Sequence, residues 1–329
     1  MSHNYRDDWV DYAKGIGILL VVYGHVIRGL IKAGLAIHLS ELNFIDAIIY
    51  GFHMPLFFFL SGYLFIQSAQ RWNSKKLFFN KIDSILYVYI IWSLIQGAVE
   101  VMLSRYTNAG IDGASVLSLF WEPRAHFWFL YALFFIFIFI IYFKDWIVKN
   151  ITITFVCSLL ILFFLPLTKI AAIDLPAHFI VFFVFGMLIK QNAKFLRVNK
   201  WMMVIYLAFA VFTFLLARTI HESDIINRML MFVYSLSCIL LLSSFCIGIG
   251  DKYGFIMRVG QASLAIYLIH VIVGSGARIA LNKFFGIQNF YILFIAGLIT
   301  SVLMPMFVWH YAKRNPIKFL FIAPYKFGR

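Results

Sequence analysis

DYAKGIGILLVVYGHVIR, residues 11–28, decides the fold and carries the first candidate site. The segment is apolar enough to cross a bilayer, yet it holds Lys14 near its start and His25 well inside it. At 3.6 residues per turn the two are about three turns apart, so both side chains leave a helix on nearly the same face. The rise of 1.5 Å per residue puts His25 roughly 16 Å beyond Lys14, about half the hydrocarbon thickness. Asp11, close to one turn before Lys14, joins that face. Ionisable groups inside a span are costly and usually point into a protein interior or a water-filled cavity, so the aligned Asp11, Lys14 and His25 are read as a site. The plainer alternative for His25 is a packed ring bonded to a backbone carbonyl.

Composition extends this reading to the whole chain. The 329 residues are 63% hydrophobic, 19% aromatic and only 13% charged, with a mean hydropathy of +0.90, which leaves too little polar surface for a soluble globular protein. Apolar runs between charged breaks give about ten spans, at 13–31, 44–66, 83–103, 126–143, 151–168, 173–189, 201–217, 229–249, 259–281 and 289–311. The expected fold is therefore all-α: a polytopic membrane protein forming a single integral-membrane domain over 1–329, with no soluble domain, internal repeat or Gly-rich phosphate loop. The first residues, MSHNYRDDWVDY, lack the pattern of a cleavable signal peptide, so the first span is expected to stay in the mature protein. Cys157, Cys238 and Cys246 all fall in apolar runs without metal-ligand spacing and read as small buried hydrophobes.

The net charge of +14 reads as topology and not as nucleic-acid binding. Of the 28 Lys and Arg, nine fall on or near one side: Arg28, Lys32, Arg105, Arg124, Lys169, Arg218, Arg228, Arg278 and Lys283. With Lys14 set aside as part of the site, the other 18 fall on the side holding the termini. The positive-inside rule then places both termini in the cytoplasm, with attraction to anionic lipid and anionic cofactors as a secondary effect.

Further candidates follow along the chain. The second span reads GFHMPLFFFLSGYLF, residues 51–65; Pro55 should distort it, His53 lies near mid-membrane, and Ser61-Gly62 lies closer to the cytoplasm. His53 satisfying a freed carbonyl and Ser61-Gly62 allowing close helix packing weigh evenly against direct roles. The loop 67–83 carries Arg71, Lys75, Lys76 and Lys81, a solvated basic loop that could also meet phosphates. The long external loop 104–125 holds Arg105, Asp112, Trp121, Glu122 and Arg124, followed by His126 and Trp128. Carboxylates, Arg and Trp there suit a sugar acceptor, although Trp121 and Trp128 equally fit an interfacial belt. In the ninth span Ser263, Tyr267 and His270 lie near helical spacing on one face. Counted from the span ends, His25, His53 and His270 fall at similar depths, so three His from three helices are expected to meet at one level.

The pattern of Lys14, ten residues, then His25, with Asp11 ahead of it, resembles the opening motif of the membrane-bound acyltransferase-3 family, which has Arg or Lys at that place. FHMPLFFFLSGYLF (52–65) is similar to the next signature of that family, in the version of its fucose 4-O-acetylase-like branch. HFWFL (126–130) and SLAIYLIH (263–270) are similar to its later landmarks. The resemblance covers nearly the whole chain in order. One departure is Val88 in VYIIW, where the family often has a Pro, which leaves a local helix break without its usual residue.

The resemblance implies transfer of an acyl group, usually acetyl, from cytoplasmic acetyl-CoA to a carbohydrate hydroxyl across a bacterial inner membrane. It implies His25 with Asp11 as the catalytic set, and Lys14, Ser61 and Tyr267 on the donor side. His53, Glu122, His126, Trp128 and His270 fall on the supporting or acceptor side. The residues agree: Lys14 can pair with CoA phosphates as a point charge, and a neutral His25 is placed to take a proton from the attacking hydroxyl. Direct transfer and an acetyl-His intermediate both remain open, as does the choice among O-antigen, another surface polysaccharide, an oligosaccharide signal and an antibiotic as acceptor. Expected partners are acyl-CoA, the carbohydrate and the lipid bilayer, with no nucleic acid and no metal. The competing class is a proton-coupled transporter or flippase, since mid-membrane His and Asp also mark proton relays.

Overall fold

The computed structural model describes residues 8–35, 39–102, 118–192, 196, 199–221, 224–249 and 254–324. Among them there are fourteen α-helices and no strand. In chain order they are α1 (Asp8–Lys32), α2 (Leu39–Tyr50), α3 (His53–Arg71), α4 (Ser74–Lys81), α5 (Tyr87–Met102), α6 (Trp128–Tyr142) and α7 (Lys144–Lys149), then α8 (Ile151–Phe164), α9 (Ala171–Gln191), α10 (Lys200–Ala217), α11 (Ile225–Ile249), α12 (Gly254–Gln261), α13 (Ser263–Phe285) and α14 (Phe290–Ala312). Nine helical segments among the described residues are long and apolar enough to cross a membrane. The expected tenth, α8, is apolar but has only 14 residues. That is about 21 Å of helix, short of a hydrocarbon core of about 30 Å.

The chain divides into two compact units: Met1–Leu60 with Ala193–Tyr311, and Ser61–Asn192 with Ala312–Arg329. In the first, α1 packs against α2, α11, α12 and α13, and α10 packs on α11. Small residues allow these approaches. A Cβ on Gly15 would run into the carbonyl of Ile256, and one on Gly260 into the carbonyl of Asp11, so α1 and α12 meet backbone to backbone.

The second span differs from a single distorted helix. It is two helices, α2 and α3, parted at Gly51-Phe52, so Pro55 falls in the first turn of α3, where its missing N–H removes no bond the helix needs. The carbonyls left at the break find side chains instead. His53 Nδ1 donates to the Ile49 carbonyl at 2.8 Å, Tyr234 donates to the Ile48 carbonyl at 2.6 Å, and Ser235 Oγ lies 2.6 Å from the Gly51 carbonyl. Gly51 fits because a Cβ there would press on the Tyr234 ring, 2.6 Å away. The ninth span is likewise parted, at Ala262 between α12 and α13. Gly286, at φ 65, closes α13, and the Ile287 N–H bonds the Leu281 carbonyl at 3.1 Å, as in a Schellman ending.

In the second unit α6 packs on α4 and α9, and α8 on α9. Gly62 lies against the backbone of Phe183, where a Cβ would collide, so Ser61-Gly62 serves close packing of α3 on α9. At Val88 α5 is unbroken, but a π-helical turn, Ile82–Leu86, sits just before it, with Ser84 Oγ bonded to the Asn80 carbonyl at 2.7 Å. Two Lys of the basic loop lie over aromatic rings, Lys76 over Trp72 and Lys81 over Phe137.

The α2–α3 break gives a stability prediction. Ser235→Ala removes a donor to the Gly51 carbonyl and should lower thermal stability in detergent modestly, by about 0.5–1.5 kcal/mol. Gly51→Val forces a collision with Tyr234 and should lower it further. Equal melting temperatures for wild type and both variants would show that the break does not depend on this seam.

Candidate functional site

Two cavities in the first unit line up along α1. The inner one is about 220 Å³ and is lined by Asp11 and Lys14 from α1, the α12–α13 joint from Gly260 to Ala265 without Ala262, and Trp309 from α14. Lys14 Nζ stands 4.0 Å from Asp11 Oδ1; the Asp11 side chain is 5% exposed and that of Lys14 28%. The carboxylate is thus the buried member of the pair, and the ammonium is the member that faces the cavity mouth. An ammonium has three donors, so Lys14 can hold Asp11 and an incoming anion together.

The outer cavity contains His25. It is the smaller of the two, about 30 Å³ against about 220 Å³, room for about two waters. Its walls come from three helices: His25, Val26, Gly29 and Leu30 of α1; His270, Val271, Gly274, Ser275 and Arg278 of α13; and Leu293 and Gly297 of α14. The spacing on α1 and α13 is that of one helix face, i, i+1, i+4, i+5, which is why these residues meet. A Cβ on Gly29 would meet nothing within 4 Å, so that glycine borders open space.

His25 and His270 face each other across this cleft, ring centroids 5.0 Å apart and planes at 69°. His270 is buried, and its Nδ1 lies 2.9 Å and 2.8 Å from the carbonyls of Ile266 and Tyr267. Carbonyls only accept, so Nδ1 carries a proton, and in the neutral form of the ring Nε2 is the acceptor nitrogen. Ser301 Oγ donates to the His270 carbonyl at 3.1 Å and sits over Gly274, fixing α14 on α13 at this level. His270 is thereby oriented by its own turn, and it in turn bounds the positions His25 can adopt.

The remaining expected residues separate from this pair. His53 is buried, bonded to Ile49 and set 5.4 Å from the Tyr50 ring, and it lines neither cavity. Two of the three expected His therefore meet, and the third supports the helix break. Beside Tyr50 stands Arg28, over its ring at 5.1 Å and 3.7 Å from Asp46. Tyr267 is buried and lends its carbonyl to His270. Asp11 lies with Lys14, and by helical rise about 21 Å from His25.

Ser61, Glu122, His126 and Trp128 belong to the second unit. Glu122 is exposed, His126 is buried in the short 3₁₀ turn Ala125–Phe127, and Trp128 stacks near Phe179 at 5.1 Å. Close by, Arg124 pairs with Glu100, which also accepts from Gln96 at 2.9 Å. Arg105 and Asp112 lie outside the described residues. Sequence reading missed Gly29, Arg278 and Trp309. Arg278 was readable only as a topology charge, although its place two turns beyond His270 on the same helix was a usable signal. Among the described residues no three His, Cys, Asp or Glu side chains converge as a metal-ligand set.

Comparison with known proteins agrees with this arrangement of helices and polar side chains. Residues 7–310 match the family described as "Acyltransferase domain" (Acyl_transf_3). The chain is similar to the protein named Nodulation protein NolL of Mesorhizobium japonicum, 29% identical over 220 residues, which cover 64% of this chain and 56% of the relative. It is also similar to the Nodulation protein NolL of Sinorhizobium fredii, 31% identical over 134 residues, 39% of this chain and 34% of the relative. The matched part therefore spans about half the length of the first relative and about a third of the second. No solved structure matches. With nearly its whole length covered by the family, and with the Lys14 and His25 of the opening motif each placed in a cavity, the chain belongs to the membrane-bound acyltransferase-3 family.

Proposed function

We propose that the protein is an O-acyltransferase of a bacterial inner membrane that moves an acetyl group from cytoplasmic acetyl-CoA to a carbohydrate hydroxyl on the far side. The observation that carries the reading is the placement of His25 and Lys14 on one face of α1, each lining its own cavity, with His270 against His25. The inner cavity suits the anionic end of CoA. Lys14 supplies a positive charge, and the start of α13 at Ser263 and Leu264 adds the favourable end of a helix dipole. Asp11 holds the ammonium in place. The thin acyl arm then follows α1 toward the outer cavity.

There the chemistry requires a base. His25 takes the proton of the acceptor hydroxyl as its oxygen attacks the thioester carbonyl, and the CoA thiolate leaves. His270 is a positioning residue: its Nδ1 is committed to backbone carbonyls, so it cannot rotate away and it limits His25 to productive orientations. A carbohydrate acceptor agrees with the polar mouth formed by Ser275 and Arg278. The termini lie in the cytoplasm, which the excess of basic residues on their side supports.

Three outcomes test this reading. His25→Ala should lose acetyl transfer by about 10² to 10⁴ with protein level and acetyl-CoA binding retained; transfer near the wild-type rate in a folded, inserted variant would remove His25 as base. Lys14→Ala should weaken acetyl-CoA binding, and Lys14→Arg should keep much of it; equal affinity in all three proteins would end the phosphate assignment. In a background where the three native Cys are replaced by Ser, Asn73→Cys should react with an impermeant maleimide only from the cytoplasm and Glu122→Cys only from outside, and the reverse pattern would overturn the direction of transfer.

A further inference from the structure

Arg278 lies within a membrane-spanning helix, seven residues before its end, is partly buried, and lines the His25 cavity. Two other cations of the first unit stand near carboxylates, Arg28 at 3.7 Å from Asp46 and Lys14 at 4.0 Å from Asp11. Among the described residues no carboxylate forms an ion pair with Arg278 and no hydrogen bond from its guanidinium is present. A guanidinium held at membrane depth without a counter-ion is expensive, which points to a partner that arrives from outside the chain.

Geometry says where that partner sits. Eight residues of helix separate the Cα atoms of His270 and Arg278, about 12 Å. Side chains on a helix lean toward its N-terminus, so the Arg278 guanidinium reaches back over Ser275 and Gly274 toward the histidines. Ser275 adds a hydroxyl beside it, and Gly29 on the facing helix leaves the space open. Arg, with its planar fork, is the side chain suited to grip two oxygens of one anionic group.

We propose that Arg278 makes the outer cavity a binding site for an anionic oxygen group, a carboxylate or a phosphate, carried by the acyl acceptor. The proposal rests on the reading of the outer cavity as the acceptor's side and narrows it: the acceptor is an acidic sugar or a sugar bearing phosphate, gripped by Arg278 with a hydroxyl presented to His25. A neutral sugar would leave the partly buried guanidinium without a charged partner, and so would be the poorer acceptor.

The test uses the full chain in nanodiscs of phosphatidylcholine and reads carbethoxylation of His25 by diethylpyrocarbonate, located by mass spectrometry. Glucuronate should slow modification of His25, inorganic phosphate should do so more weakly, and glucose at the same concentration should not. In Arg278→Gln the half-protecting concentration of glucuronate should rise by about tenfold or more, the loss of one charge-assisted pair. Gly29→Val, whose Cβ would meet nothing within 4 Å and whose methyl groups extend into the cleft, should abolish protection as well. Equal protection by glucose and glucuronate, or unchanged protection in Arg278→Gln or in Gly29→Val, overturns the site. Replacing the lipid with phosphatidylglycerol separates the two sources of anion: if that lipid protects His25 by itself through Arg278, the partner is a headgroup and the acceptor assignment falls. Acetyl-CoA binding measured on the same samples reports on the acyltransferase reading independently, since its absence in the wild type would sink that reading while leaving the anion site standing.

Discussion

The backbone contact between α1 and α12 is the constraint on which the candidate site depends. Gly15 lies against the Ile256 carbonyl and Gly260 against the Asp11 carbonyl, so any side chain at either position would force the helices apart. Inside a bilayer, where lipid is as apolar as Leu, helices are held by close packing and polar contacts, and Gly permits the closest approach. That contact sets the register of α1 against the α12–α13 joint. It brings Lys14 beside Ser263 and Leu264 at one end and, three turns on, His25 against His270 at the other. A change of one residue in this register would rotate α1 by about 100° and separate both pairs at once.

A second constraint governs the interrupted spans. Backbone carbonyls freed inside hydrocarbon have no water to turn to, and here side chains take that place. His53, Tyr234 and Ser235 do so for the α2–α3 break, whereas the His270 Nδ1 bonds the carbonyls of Ile266 and Tyr267 inside the unbroken α13. Each of the two histidines bonds a carbonyl four residues back through Nδ1, yet only His270 also lines a cavity. The difference comes from what each meets on its other side: Tyr50 for His53, His25 for His270.

This explains how far the sequence could be read. Nine of the spans and the aligned face of Lys14 and His25 were legible because both rest on periodicity and hydropathy within one segment. Depth along a helix was legible too, and it paired His25 with His270. Depth alone could not separate His53 from that pair, because it says nothing about azimuth between helices. The split at Gly51-Phe52 was readable only as a distortion near Pro55, since the donors that stabilise a full break come from Tyr234 and Ser235, far along the chain. Gly29 and Trp309 escaped for the same reason: a glycine bordering space looks like a glycine filling a contact until the opposing helix is placed. Arg278 was read as a boundary charge because Arg near a span end usually is one.

Between the two polar ends of α1 the same face is filled by Ile18, Val21 and Val22, all almost completely buried. The arrangement keeps water near Lys14 apart from water near His25. An acyl arm can part aliphatic side chains that water cannot profitably wet, because it replaces one apolar contact with another, whereas a water chain would have to solvate itself on hydrocarbon. A thioester carried to His25 by this route would arrive in a cleft with room for about two waters. Hydrolysis would then compete poorly with attack by a hydroxyl held in the same cleft. On the proposed mechanism, a dry stretch of helix between the two polar ends, instead of one open vestibule, would let the enzyme discriminate between an acceptor and solvent.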